Sequence, residues 1–369
     1  MDSSIALILL QDGFVTGSVY ALLAIGLVLV FSVTRVIFIP QGEMVTYGAL
    51  TIAALQINSF PVVIYLQIVL GIYIFLIESF HFYKRFNLNP PNLQSKQDVG
   101  FFKSNKPLAF CFAQYILYPF ALLTVLLQLS TAYSFSNLSL GTQALLTLMV
   151  VAPLGPMLYK TVFEPIADAS ILVLLIVSVA LHLSLMGLGL WMFGAEGGRS
   201  KPMLDIRLDW GALSMSGQSL FVVISSAIIM VSFSVFFHYS MTGKALRATA
   251  INRLGASLMG IKVKRAGQLS FLLAACLGAF SGILIGPITT IYYDSGFIIG
   301  LKGFVGAILG GLAAYPLAAA GAIWVGLMEA YISFWASAYK EVWVFSLIIP
   351  VLMWRSLTHP QLLEDDDSL

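Results

Sequence analysis

Long apolar runs recur along this chain, separated by short polar interruptions. A segment crossing a bilayer needs roughly 20 mostly apolar residues, and fewer where a bundle shelters it. Read that way, spans are predicted near 13–34, 43–57, 61–80, 107–131, 140–158, 170–194, 217–240, 266–287, 299–316, 318–337 and 341–354. The runs at 43–57 and 341–354 are short, so they are tilted inside the bundle or cross it only in part. Nine to eleven spans are expected. Residues 5–10 (IALILL) either extend the first helix or lie along the interface. The fold class is therefore all-α, a polytopic transmembrane helical bundle.

Composition agrees with this pattern. Of the 369 residues, 59% are apolar and 10% charged, and the mean hydropathy is +0.93. A soluble domain carries about 25% charged residues. Cys111 and Cys276 both lie in apolar context, which predicts small buried side chains rather than a disulfide or metal site. No signal-peptide pattern of n-region, h-region and cleavage site opens the chain.

Charge placement orients the bundle, because Lys and Arg accumulate on cytoplasmic loops. Loop 81–106 carries Lys84, Arg85, Lys96, Lys103 and Lys106 against Asp98. Residues 241–265, MTGKALRATAINRLGASLMGIKVKR, hold six of the nineteen Lys and Arg and no acid, whereas 195–216 is nearly balanced. These loops place the basic segments inside, the N-terminus in the periplasm and the C-terminal tail in the cytoplasm. The tail, 356–369, is acidic at Glu364 to Asp367, but acids weigh little in this rule.

Candidate chemistry is sparse. His81, His182, His238 and His359 lack Cys or acidic partners at ligand spacing, and HExxH, CxxC, GxSxG and GxxxxGK[ST] are absent. No catalytic residue, bound cofactor or metal site is predicted, and any ATP use falls to another chain. Two small-residue stretches stand out: GAFSGILIG, with Gly278, Gly282 and Gly286 four apart, and GFVGAILGG, with Gly303, Gly306, Gly310 and Gly311. Missing side chains let helices approach closely in lipid.

Polar residues within apolar segments are costly unless they face the interior. Glu329, His182, Gln143 and Gln218 read most simply as interhelical glue. QGEMVTY (41–47) follows Pro40, which disfavours helix at Ile39. Such a break, where polar side chains meet free backbone amides, is the anatomy of a gate or midplane site. PITTIYYD (287–294), with Thr289 and Thr290, is a second break of this kind. A plain alternative for 37–43 is a turn near the membrane boundary, with Glu43 in the first turn of the next helix.

Within 241–265, Leu246, Ala250, Leu254 and Leu258 recur at near-helical spacing, predicting one short amphipathic helix. Holding topology, touching anionic lipid and docking a soluble partner all remain open for it.

The segment GKALRATAINRLGASLMGIKVKRAGQLSFLLAACLGAFSGILIG (243–286) resembles the signature region of branched-chain amino acid ABC transporter permeases of the LivH-like type. The matching positions are Gly243, Lys244, Ala250, Asn252, Arg253, Gly260 and Ile261, then the three spaced glycines. GSVYALLAIGLVLVFSVTRVI (17–37) and 300–334 resemble the same family, and the likeness covers roughly 1–57 and 141–355. It implies one transmembrane permease domain over 1–355 in a bacterial inner membrane. It also implies a second related permease subunit, two cytoplasmic ATP-binding subunits and a periplasmic solute-binding protein as partners, with membrane lipid around them and no nucleic acid. ATP would be used by the partner subunits. The 241–265 segment, with Gly243, Lys244, Arg247, Asn252, Arg253 and Gly260, would then be the element coupled to the ATPase.

Two departures matter. The family pattern after the first helix is Ile-Asn-Phe-Ala-His-Gly-Glu, whereas this chain reads IFIPQGE (37–43). Gly42 and Glu43 are kept, while Phe38 and Gln41 replace Asn and His. If Phe38, Gln41, Gly42 and Glu43 line the solute path with Thr289 and Thr290, the solute shifts toward a related amino acid, urea or an amide. Residues 58–140 are extra to the family. A secondary transporter, for which only Glu43 and Glu329 are plausible ion-coupling carboxylates, and a non-transport membrane scaffold are the rival readings.

Overall fold

The computed structural model describes residues 3–88, 112–132, 134–210, 213–312 and 314–358. The loop 81–106 beyond residue 88, Cys111 and the acidic tail from 359 onward lie outside the described residues.

The chain folds as an all-α bundle in which, among the described residues, eight helices are long and apolar enough to cross a membrane. They are α1 (Ser3–Thr34), α3 (Val63–Leu88), α4 (Ala113–Ala132), α5 (Leu140–Ile166), α6 (Ile171–Phe193), α7 (Gly217–Tyr239), α10 (Val263–Ile285) and α12 (Tyr315–Trp335). Shorter helices complete it: α2 (Gln41–Gln56), α8 (Met241–Ile251), α9 (Arg253–Leu258), α11 (Ser295–Leu309), α13 (Lys340–Ser346) and α14 (Ile348–Thr358). One antiparallel hairpin, β1 (Arg207–Trp210) with β2 (Leu213–Ser216), lies between α6 and α7.

Three expected spans are thus too short to cross alone. Residues 341–354 divide into the short helices α13 and α14. The run at 299–316 is cut by a turn in which Gly311 and Leu312 take positive φ values of 86° and 55°. At 16 residues, α2 rises only about 24 Å, less than the roughly 30 Å hydrocarbon thickness. Residues 5–10 extend α1.

α1 is the axis of the fold. It is apolar on every side, the mark of a helix buried all round, and residues 19–25 are almost wholly enclosed. Around it pack α12, α10, α11 and α7, while α2 lies against α10 and α11. Gln218 of α7 donates from Nε2 to Leu284 O (3.0 Å) and accepts from Met203 N (2.8 Å). That side chain ties the connection before β1 to the end of α10. Gln143 acts more locally, donating to Phe135 O at 2.9 Å. Cys276 is a half-buried free thiol.

The 241–265 segment is not one amphipathic helix. Asn252 breaks it at φ −150° and ψ 106°, and its Oδ1 caps the next turn by accepting from Gly255 N at 2.8 Å. An Asn at this place competes with helix continuation through its own side chain. The apolar stripe therefore splits. Leu246 is buried beside Leu29, Val33, Phe237 and Ala266, with Ala250 at its margin, whereas Leu254 and Leu258 are 73% and 80% exposed.

Candidate functional site at the break between α1 and α2

After Thr34 the chain leaves the helix, with Arg35 at φ 62°, and turns back into the bundle. Ser178 of α6 pins this segment, accepting from Ile39 N (3.1 Å) and donating to Ile37 O (2.7 Å). Non-helical backbone at membrane depth survives only where protein partners satisfy it. The amides entering α2 are not free: Gln41 N, Gly42 N and Glu43 N donate to Phe38 O, Ile39 O and Pro40 O at 3.2, 3.2 and 3.0 Å. The expectation of free amides at this break is corrected.

Gln41 is buried deep in the bundle. Its Nε2 donates to Leu23 O at 3.1 Å, and its carbonyl oxygen would lie 3.1 Å from a Cβ placed on Gly278 of α10. Gly278 is eight residues, or about 12 Å, from the Gly286 end of that helix. α2 thus begins part-way through the bundle and runs to one end, the half-helix arrangement seen around solute sites in transporters.

A cavity of about 140 Å³ opens at this break, lined by Leu23, Leu27, Gln41, Leu175, Gly300 and Phe304 together with residues 37–39. Its walls are almost entirely apolar. Gln41 Oε1 has no hydrogen-bond partner among the described residues and is itself enclosed by protein.

Of the other predicted path residues Phe38 also borders this cavity, while Gly42, Glu43, Thr289 and Thr290 are not in its lining. The Phe38 ring is sealed against Phe271 (centroids 4.6 Å apart) and Phe163 (6.3 Å), so it braces the cavity wall. Gly42 meets α11, where its Cα would stand 2.9 Å from a Cβ on Gly300. Glu43 points to α6: His182 Nδ1 lies 3.0 Å from Glu43 Oε1, off hydrogen-bond alignment, and the His182 ring stacks on Phe297 at 4.4 Å. Thr289 and Thr290 are exposed at the end where α10 finishes. There Gly198 and Ile291 pair through both backbone bonds (2.8 and 2.9 Å), and Arg199 Nη2 donates to Pro287 O at 3.1 Å. The connection between α6 and β1 is thereby fastened over that end.

Of the spaced glycines, Gly278 and Gly282 face α2. A Cβ on Gly278 would lie 2.8 Å from Met44 Cβ, and one on Gly282 would lie 2.8 Å from Ala49 N. Gly286 lies against Ser200, at 2.7 Å from its Oγ by the same construction. In the basic segment, Gly243 is buried against Phe237, Lys244 and Arg247 are exposed, Arg253 is half-buried, and Gly260 takes φ 82°.

Sequence reasoning passed over Lys302. It is buried on α11, 2.6 Å from Glu329 Oε1 of α12 and 3.0 Å from Glu341 Oε1 of α13. Tyr20 of α1 donates to Glu329 Oε2 at 2.8 Å. A lysine inside the run GLKGFVGAILG was the available signal, since an intramembrane charge needs a named partner.

The sequence matches the family described as branched-chain amino acid transport system / permease component over residues 9–355. The chain belongs to this family. It is a transmembrane permease of the ABC-importer type. The high-affinity branched-chain amino acid transport system permease protein LivH of Escherichia coli strain K12 is 28% identical over 216 residues, covering 56% of this chain and 69% of that protein. BraD of Pseudomonas aeruginosa, described as a permease of the same kind of system, is 26% identical over 57% of this chain and 70% of its own length. A probable LivH of Methanocaldococcus jannaschii is 28% identical over half of this chain and 62% of its own. No solved structure matches.

Proposed function

We propose that this permease is the membrane subunit of an ATP-driven importer that moves branched-chain or related amino acids across a bacterial inner membrane. Its partners in this reading are two cytoplasmic ATP-binding subunits, a second related permease and a periplasmic binding protein. The N-terminus lies outside and the basic end of the bundle inside, following the Lys and Arg bias.

The observation that carries the reading is the pair α8–α9. α8 is anchored in the core by Leu246, while α9 and its flanks present Ile251, Leu254, Leu258 and Met259, each at least 73% exposed. Lys244, Arg247 and Lys262 flank this tip in a segment without Asp or Glu, and Lys264 beyond them pairs with Glu164 of α5 at 3.1 Å. An apolar knob in a basic collar suits a groove with an acidic rim on a soluble partner. The membrane path in this reading is the apolar cavity bordered by Gln41, whose lining carries no charged side chain to trap a solute.

The test is copurification with co-expressed ATP-binding subunits of a branched-chain amino acid importer from the same organism. Leu254→Asp with Leu258→Asp should abolish recovery of the ATPase and solute uptake while the permease remains inserted. Unchanged recovery and uptake would remove α9 from the docking surface.

A second reading concerns the solute. Phe38 and Gln41, which stand where the family pattern has Asn and His, both border the cavity, so an amide or urea is the alternative cargo of the same importer.

A further inference from the structure

Away from the α1–α2 break, two hollows lie side by side where α3 and α4 meet α5 and α10. The first, about 700 Å³, is bordered by charged side chains: Glu78, His81 and Lys84 of α3, Lys160 and Glu164 of α5, and Lys264 of α10. The second, about 430 Å³, is bordered mainly by apolar surface, including Met157 and Pro156 of α5 and Leu272 of α10. The helices set their order. On α5, Met157 and Thr161 are one turn apart, the former in the apolar hollow and the latter in the charged one. On α10, Lys264 and Leu272 differ by eight residues, about 12 Å along the axis. The charged hollow therefore lies at the basic end of the bundle, beside α8–α9, and the apolar one lies deeper in the membrane.

Tyr115 joins them. It borders the apolar hollow, packs with Ile74 and Met157, and carries Lys160 Nζ over its ring at 4.9 Å. Ile74 in turn borders the charged hollow. The two share a wall.

The charges do not cancel. Lys160 pairs with Glu78 at 2.8 Å and Lys264 with Glu164 at 3.1 Å. Lys84 and His81 form no ion pair with any described residue, so among the described residues the rim has three lysines against two carboxylates. A cationic rim one to two turns above an apolar trough matches a phosphate joined to an acyl chain. A small anion would leave the trough unfilled, and a neutral apolar molecule would leave Lys84 unused. We propose that this cleft holds one anionic glycerophospholipid, its phosphate at Lys84 and Lys264 and an acyl chain beside Tyr115 and Leu272. The bound lipid would fill the seam between α3–α4 and the α5–α10 side of the bundle.

Native mass spectrometry of the full-length chain, taken from membranes of mixed phosphatidylglycerol and phosphatidylethanolamine, tests this. The expected result is one phosphatidylglycerol retained per chain in preference to phosphatidylethanolamine. Lys84→Gln should weaken retention about fivefold, and adding Lys264→Gln should multiply the loss by a similar factor, as expected for a basic side chain near an anionic headgroup. Leu272→Trp, which fills the trough, should reduce lipid retention without lowering the melting temperature. Inorganic phosphate added at millimolar concentration should not displace the lipid. Equal retention of the two lipids, or undiminished phosphatidylglycerol in the double lysine variant, would overturn the proposal. Displacement by inorganic phosphate would overturn it too, reducing the cleft to a site for a free anion. Should Leu272→Trp fail to fold, the lysine variants, which lie at the rim, still decide.

Discussion

Lys302 Nζ stands 2.6 Å from Glu329 Oε1 inside the bundle, joining α11 to α12 while Tyr20 of α1 holds the second carboxylate oxygen. Removing one member of a buried pair leaves the other charge uncompensated, at a cost of about 3–5 kcal/mol. Lys302→Met should therefore lower the melting temperature of the solubilised protein sharply. Adding Glu329→Met should recover part of the loss, because the stranded charge is then gone. A Lys302→Met protein as stable as the parent would show that the pair contributes nothing to the α11–α12 contact.

Ser178 satisfies both Ile39 N and Ile37 O in the break before α2. Ser178→Ala leaves Ile39 N and Ile37 O only the 3.0 Å bond they make to each other, at a cost of about 1 kcal/mol for each hydrogen bond lost. Accelerated hydrogen exchange at 35–42, with α1 and α2 themselves unaffected, is the expected signature. Uniform exchange across parent and variant would mean that the segment is held by packing alone.

Gly282 meets the α2 backbone near Ala49. Gly282→Leu forces α2 and α10 apart, an overpacking that costs about 1–3 kcal/mol. The comparison is Val231→Leu on the outward face of α7, where the side chain is 63% exposed. The glycine variant should lose stability and transport while the valine variant keeps both; equal behaviour would place Gly282 at a forgiving surface.

Gln41→His and Phe38→Asn, singly and together, probe the cavity. Uptake measured across amino acids, amides and urea should change rank order with Gln41→His, since Gln41 is the polar side chain bordering the cavity. Phe38→Asn should lower uptake of every solute alike, because the ring braces the wall from the Phe163–Phe271 cluster. A rank order untouched by Gln41→His assigns selectivity to the binding protein.

The spans were legible because lipid imposes one demand on every crossing helix, and runs such as 170–194 and 217–240 meet it without exception. The seam at Gly278 and Gly282 was legible as a spacing, but its partner was not, since a missing side chain does not say which backbone approaches. Two features escaped for a common reason. The depth of Gln41 depends on Ser178, well over a hundred residues away, and the pairing of Lys302 depends on Tyr20, Glu329 and Glu341. Long-range polar contacts leave no local periodicity. The amphipathic pattern at 246–258 misled because Asn252 fits a helical wheel as well as it caps a new helix.

The interruption at Asn252 has a mechanical consequence. α9 is a six-residue rod with a non-helical joint at each end, the extended Asn252 before it and the left-handed Gly260 after it. A rod jointed at both ends carries a push along its length but little torque. α8, fixed at Leu246, acts as the bearing, so load applied at Leu258 passes through 259–262 into the start of α10. From there it runs along one continuous helix to Gly278 and Gly282, where α2 rests. A partner docked on α9, as proposed above, would therefore act on the Gln41 cavity through α10 and bypass the outward-facing part of α7.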